Sequence, residues 1–265
     1  MDTKISVSTA NERAKTIVKD LQRVLLEFMQ KHRITHDEYR IATTILTNTV
    51  KEGEESLLYD VFLEAEATDI GNRTKAGSPE GIEGPFYQSG APKLVAPYVM
   101  PQRPEEGGDP LFFFGSVKST GGKPIAGVEL DLWHADADGL YSNIHPNIPD
   151  WNLRGCFQTD EQGNFEVKTI LPPPYEIPKN GPTGMVLTAI GTPHFFRPAH
   201  LHIKVRHPDY EEMTSQLYFR GGIYVEDDVA NAVRDGLFTS LEPRSGEAQQ
   251  PAYQARYDFV LKAKR

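Results

Sequence analysis

The apolar residues of this chain change their period once, and that change limits what each part can become. Between Ala14 and Phe28 they fall at Ala14, Ile17, Val18, Leu21, Val24, Leu25 and Phe28, the i, i+3, i+4, i+7 stripe of an amphipathic helix. Thr35 and Glu38 stand at capping-box spacing, and Tyr39, Ala42, Ile45 and Leu46 continue a second helix. Leu57, Leu58, Val61 and Phe62 suggest a short third one, so residues 1–70 read as a helical segment. Residues 71–110 are dense in Gly and Pro (Gly77-Ser-Pro79, Gly84-Pro85, Gly90-Ala-Pro92, Gly107-Gly108) and read as a linker or long loop. Over 111–265 the period is two. Val128, Leu130 and Leu132 alternate with Glu129, Asp131 and Trp133, and short runs recur at Phe165–Ile170, Leu201–Val205, Gln216–Phe219 and Tyr257–Leu261. Short strands separated by turn signals, with almost no helical stretches, predict a β-sandwich or barrel, hence a mainly β protein.

Composition bears on the chemistry. Cys156 is the single cysteine, set against eight histidines, eleven tyrosines and thirty-seven carboxylates. One thiol closes no intrachain disulfide and builds no thiolate metal centre, so any metal must sit on N and O donors. The formal net charge of −9 disfavours nucleic acid and anionic membranes and leaves a small molecule as the expected partner. No run approaches the roughly 18 apolar residues of a membrane span, and the start of the chain lacks a signal-peptide pattern. A soluble, cytoplasmic protein is expected.

Arg197-Pro-Ala-His-Leu-His-Ile-Lys-Val-Arg206 is the most informative segment. As a strand it projects His200 and His202 from one face, about 7 Å apart, and Leu201, Ile203 and Val205 from the other. Two such imidazoles can chelate one metal ion, but His, His, Lys and Arg at alternate positions equally describe a solvated strand face. Tyr141, after an Asp-Gly turn, and Tyr175, after three prolines, are held in stiff backbone; each is also an ordinary turn aromatic. Asp136-Ala-Asp-Gly139 fails as a calcium loop, because Tyr141 and Asn147 occupy the positions that need Gly and Glu.

Six segments in order, Ile82-Glu-Gly-Pro-Phe-Tyr87, Leu132-Trp-His-Ala-Asp-Ala-Asp-Gly-Leu-Tyr-Ser142, Asn152-Leu-Arg-Gly155, Thr169-Ile-Leu-Pro172, Arg197-Pro-Ala-His-Leu-His202 and Thr214-Ser-Gln-Leu-Tyr-Phe219, closely resemble the intradiol ring-cleavage dioxygenases. Within that family the chain is most similar to the chlorocatechol and hydroxyquinol 1,2-dioxygenases. The resemblance implies one Fe(III) held by Tyr141, Tyr175, His200 and His202. It also implies cleavage of a catechol between its hydroxylated carbons by O2 to a cis,cis-muconate, with Tyr175 leaving the metal and acting as a base. Arg197 matches the arginine that stabilises charge on the ring, and Gln216 a residue beside it. Leu57, Asp60, Val61, Ile82, Pro85, Phe86, Val229 and Ala230 match substrate-contacting positions. By the same resemblance the helical segment is a homodimerisation region that can enclose a phospholipid, 71–110 contributes to the substrate pocket, and 111–265 is the catalytic sandwich. Chlorocatechol is the expected substrate. Hydroxyquinol (giving maleylacetate) and plain catechol are the alternatives, and a metal-free β-sandwich binding module is the rival from another class. Pro172–Pro174 and the Phe195-Phe196 pair depart from the family pattern and bear on pocket shape.

Overall fold

The computed structural model describes residues 12–245 and 251–264. The chain start read for a signal peptide and the side chain of Phe62 lie outside what is described. Two compact units are present, Met1–Lys51 and Glu52–Arg265. The first holds helices α1 (Glu12–His32) and α2 (His36–Lys51). The expected capping box starts α2: the Thr35 amide donates to Glu38 Oε2 at 2.8 Å, and the Glu38 amide donates back to Thr35 Oγ1 at 3.3 Å. No residue of α1 is buried. Its predicted stripe is helical but open, with Leu21 56% exposed and Val18 64%.

The second unit begins with α3 (Glu55–Tyr59), a π-helical turn (Asp60–Glu64) and α4 (Ala65–Asn72), so the suggested third helix is one short stretch interrupted by a wider turn. Such turns are rare and frequently mark functional sites. The remainder is a β-sandwich. One sheet runs β1 (Tyr98–Val99), β5 (Asn164–Ile170), β2 (Pro110–Ser119), β12 (Tyr253–Arg256), β11 (Leu241–Pro243), with β13 (Phe259–Leu261) also on β2. The other runs β10 (Phe238–Thr239), β9 (Tyr210–Phe219), β8 (His200–His207), β3 (Glu129–Trp133), β4 (Arg154–Gln158). Leu111, Phe113 and Val167 of the first sheet meet Leu130, Leu132, Leu201, Ile203 and Val205 of the second in one apolar core, as the period-two pattern predicts.

Three features depart from expectation. A helix, α5 (Pro182–Ala189), lies within the stretch read as nearly helix-free; Pro182 at its first turn starts it, but its apolar residues show no one-sided stripe. The solvated-face reading of β8 is wrong, because every residue from His200 to Val205 is buried on both faces. Likewise Asp131 and Trp133, the polar-phase positions of β3, are buried. This sheet is covered on its second side, so alternation marks two different interiors and not inside against outside.

Candidate functional site

Cross-strand register builds the site. On β8, His202 lies between Trp133 of β3 and Gln216 of β9, and His200 is opposite Tyr218. The indole of Trp133 stacks on His202 at 4.8 Å and 11°, fixing one ring face. The two imidazoles converge until their Nε2 atoms are 3.0 Å apart, much closer than their separation along the strand. Nδ1 of His200 donates to the Pro198 carbonyl at 2.7 Å. A carbonyl only accepts, so Nε2 of this neutral ring carries a lone pair. Burial, reinforced by the Arg197 charge, brings His200 down to about 3, and burial together with His200 holds His202 well below the ordinary histidine range. Both imidazoles are therefore neutral at neutral pH.

The two tyrosines arrive from loops. Asp136 Oδ1 accepts from the amides of Asp138 (3.0 Å) and Leu140 (2.9 Å), so the motif rejected as a calcium loop is a tight Asx-type turn. It delivers Tyr141, whose Oη is 3.2 Å from His202 Nε2. Gly139 in that turn has φ +82°, and a Cβ on it would stand 2.9 Å from Tyr175 Cβ; only glycine fits both demands. Tyr175 follows Pro172–Pro174 and begins β6 (Tyr175–Glu176), which pairs antiparallel with β7 (Phe196–Arg197) in the register Tyr175↔Arg197. The three prolines thus lead directly into one strand of this ladder, and Phe196 of the Phe195-Phe196 pair lies in the other. The Tyr175 ring is 5.6 Å from the His200 ring and 5.5 Å from the Tyr141 ring. Burial pushes Tyr141 well above 10, with Tyr175 adding to the rise; burial also raises Tyr175, opposed by Arg197. Both are phenols until a strong cation approaches.

Arg197 is 4% exposed. Its Nε and Nη2 donate to the two Asp228 carboxylate oxygens at 3.1 and 2.9 Å, and Nη2 also reaches Gln216 Oε1 (3.0 Å) and Tyr218 Oη (2.9 Å). Its Nη1 comes within 3.5 Å of His200 Nε2. Burial works against charge on both partners of the ion pair, yet their attraction keeps Asp228 below the usual carboxylate range and Arg197 well above its own. Asp228 also accepts from the amides of Ala230 and Ala232 at 3.2 and 3.1 Å, tying one wall of the site to the arginine.

Of the predicted substrate positions, Leu57, Val61, Ile82 and Ala230 pack into one buried cluster with Tyr141 and Tyr175, and Phe86 and Val229 pack against it. The Phe86 ring is 4.8 Å from that of Tyr141. Pro85 follows Gly84, whose α-carbon faces His202 and Gln216: a Cβ there would be 3.7 Å from His202 Cε1. Glu64, at the end of the π turn, holds this loop by accepting from the amides of Glu83 (2.7 Å) and Gly84 (3.1 Å). Asp60 starts the π turn beside Val61; it is half-buried and accepts from Ser56 Oγ at 2.9 Å. Burial raises its carboxyl, with Glu83 adding to the rise. No contact joins Asp60 to the four donors.

Asp228, Tyr218, Glu64 and Arg154 were not anticipated from the sequence. Tyr218 and Arg154 sit inside quoted motifs, and Asp228 immediately precedes Val229, but nothing in their spacing signals a role. Among the described residues, no group of three or more His, Cys, Asp or Glu side chains is placed to hold a metal. Four donors are reached only by adding the tyrosines. Two neutral imidazoles and two buried phenols suit a hard, highly charged ion such as ferric iron.

Comparison with known proteins now defines the class. Residues 82–263 match the Dioxygenase family model and 11–78 the Catechol dioxygenase N terminus model, so the chain belongs to the intradiol ring-cleavage dioxygenases and is an enzyme of the catechol 1,2-dioxygenase type. More particularly, it is 40% identical over 228 residues to a chlorocatechol 1,2-dioxygenase of Pseudomonas putida, covering 86% of this chain and 85% of the relative. A solved 3-chlorocatechol 1,2-dioxygenase of Rhodococcus opacus superposes with a TM-score of 0.90 at 40% identity, over 96% of this chain and all of that one. A solved hydroxyquinol 1,2-dioxygenase of Pseudomonas putida gives 0.86 at 30% identity, over 97% and 94%. No described helix is long and apolar enough to cross a membrane.

Proposed function

We propose that this enzyme uses Fe(III) and O2 to cleave a substituted catechol, a chlorocatechol by preference, between its two hydroxylated carbons, giving a cis,cis-muconate that retains both oxygen atoms. One observation carries the reading: the Nε2 atoms of His200 and His202 converge to 3.0 Å beside Tyr141 Oη, with Tyr175 and Arg197 in register across one short ladder. Tyr141, Tyr175, His200 and His202 would hold the iron. Bound there, ferric iron would supply the Lewis acidity that orients a catechol and activates its ring toward O2.

The chain's own groups supply the rest. Tyr175 Oη, buried beside the His200 and Tyr141 rings, would serve as the base for a substrate proton. Arg197, aimed by Asp228, Gln216 and Tyr218, presents a fixed positive charge at the His200 side, where negative charge develops on the ring. Leu57, Val61, Ile82, Pro85, Phe86, Val229 and Ala230 exclude water and contact ring substituents. A pocket walled by aliphatic and aromatic groups suits chlorine. Asp60 favours the second reading, hydroxyquinol, because its half-buried carboxyl can bond a third hydroxyl. The open apolar stripe of α1 supports a homodimer joined through 1–70, with phospholipid as the ligand of that joint. Residues 71–110 serve the substrate pocket, 111–265 serve as the catalytic sandwich, and the setting is cytoplasmic.

Oxygen uptake and product spectra across catechol, chlorocatechols, methylcatechols and hydroxyquinol test this. The iron-loaded protein should be red to purple from tyrosinate-to-iron charge transfer, and fastest with a chlorocatechol. A colourless protein that takes up no ferric iron would overturn the assignment of Tyr141, Tyr175, His200 and His202 as its ligands. A yellow semialdehyde product would show cleavage outside the diol.

A further inference from the structure

Arg154 opens β4 opposite Trp133 and is 1% exposed. Among the described residues it forms no ion pair with any carboxylate, and its Nη1 has no hydrogen-bond partner. A buried guanidinium without a counter-ion is expensive, and arginine does not relieve the cost by losing its proton at neutral pH; burial brings it down only to about 10. Such a group is kept either because it holds other groups in place or because an anion faces it in the working state.

Both conditions are met at Tyr141. The Arg154 Nε and Nη2 donate to the Ser142 carbonyl at 3.2 and 2.9 Å, and Nε also reaches Ser142 Oγ at 3.1 Å. Ser142 Oγ donates on to the Asn152 carbonyl at 2.7 Å. The residue after Tyr141 is thereby locked from two sides. The guanidinium carbon itself lies 5.8 Å from the Tyr141 ring centroid, over its face. Tyr175 differs, because the arginine beside it, Arg197, is already matched by both oxygens of Asp228. Tyr175 thus stands beside an arginine held in a direct salt bridge, and Tyr141 beside one that makes none: the carboxylate whose charge reaches Arg154 is Asp131, and that group is bonded to Arg206.

We infer that Arg154 is a positioning residue for Tyr141, fixing its backbone through Ser142 and supplying the positive charge that faces the ring once it is a metal-bound anion. This rests on Tyr141 being an iron ligand. A cation over the ring lowers its donor orbitals, so removing the charge narrows the gap to iron and moves the Tyr141 charge-transfer band to longer wavelength. Arg154 thus favours Tyr141 as the ring retained on the metal.

The test compares the iron-loaded parent with R154M and R154K, reading the visible absorption maximum and the rate of ferric iron loss to excess EDTA. R154M should absorb at longer wavelength and lose iron at least tenfold faster. R154K, which keeps the charge but not the Ser142 fork, should keep the parent wavelength while also losing iron faster. A folded R154M with the parent's band and iron-loss rate overturns the inference, as does an R154K band displaced as far as that of R154M, which would mark a purely structural arginine. If R154M does not fold, R154K decides: the parent wavelength with faster iron loss supports the inference, and a displaced band or an unchanged rate overturns it. A parent that binds no ferric iron removes the ligand reading itself and, with it, this one.

Discussion

The two faces of β8 bear different side chains and are equally buried. Leu201, Ile203 and Val205 enter the core between the sheets, whereas His200, His202 and Lys204 are buried on the opposite face, where Gly84 approaches His202 and Glu83 pairs with Lys204. Burial of the first face is favourable by itself, because apolar area leaves water. Burial of the second is unfavourable unless each polar group finds a partner, and each does: Pro198 and Gln216 for the imidazoles, Glu83 and Thr214 for Lys204. One face stabilises the sandwich, and the other consumes part of that stability to hold reactive groups dry.

Separating the faces by mutation should separate colour from stability. His202→Ala should bleach or shift the charge-transfer band and cut turnover by about 10³-fold or more, the scale of losing a principal charge-stabilising group, with little change in Tm; unchanged colour and rate would remove His202 from the ligand set. Tyr175→Phe tests the other side of the site in the same way. Arg197→Ala should keep the iron band and lose about 10²- to 10³-fold in kcat; loss of metal would contradict its assignment. On the opposite face, Leu201→Ala should cost about 2–5 kcal/mol of stability, measured by denaturant unfolding, while the folded fraction keeps the parent's spectrum.

Acid should also act through only one face. In the iron-free protein His200 stays neutral down to about 3, whereas in the unfolded chain it takes a proton near 6.5. The unfolded state therefore binds more protons as pH falls below about 6.5, and this histidine alone costs the native state up to about 1.4 kcal/mol per pH unit. Iron cannot flatten that slope, because metal-held donors stay unprotonated in the native state and take up protons on unfolding; His200→Gln should reduce it. The smallest effect is expected at Asp60, which contacts none of the four donors: Asp60→Asn should shift the ratio of hydroxyquinol to chlorocatechol turnover by about tenfold, the worth of one hydrogen bond to substrate. An unchanged ratio would exclude Asp60 from substrate choice.

Much of this was legible beforehand. Period two along Val128–Trp133 and Leu201–Val205 predicted the sandwich strands, and Thr35 with Glu38 marked the start of α2, because these signals are local. Helix α5 was missed for the same reason: it carries no stripe. The four donors were named through a resemblance spread over six segments; the His-x-His spacing alone left a solvated face open. Asp228 and Arg154 were beyond reading, since their partners lie 31 and 12 residues away and no period links them.

By itself the sequence determined the N-terminal helices and the strands that carry a stripe or an alternation, that one cysteine builds no thiolate cluster, and to which family the chain belongs. Only the tertiary structure decided which faces are interior. It closed two imidazoles to 3.0 Å, set Tyr175 opposite Arg197, paired one arginine with Asp228 and left Arg154 facing Tyr141 with no carboxylate bonded to it. Periodicity reports how a residue sits on its own element, whereas burial, pairing and charge compensation depend on what other elements bring against it.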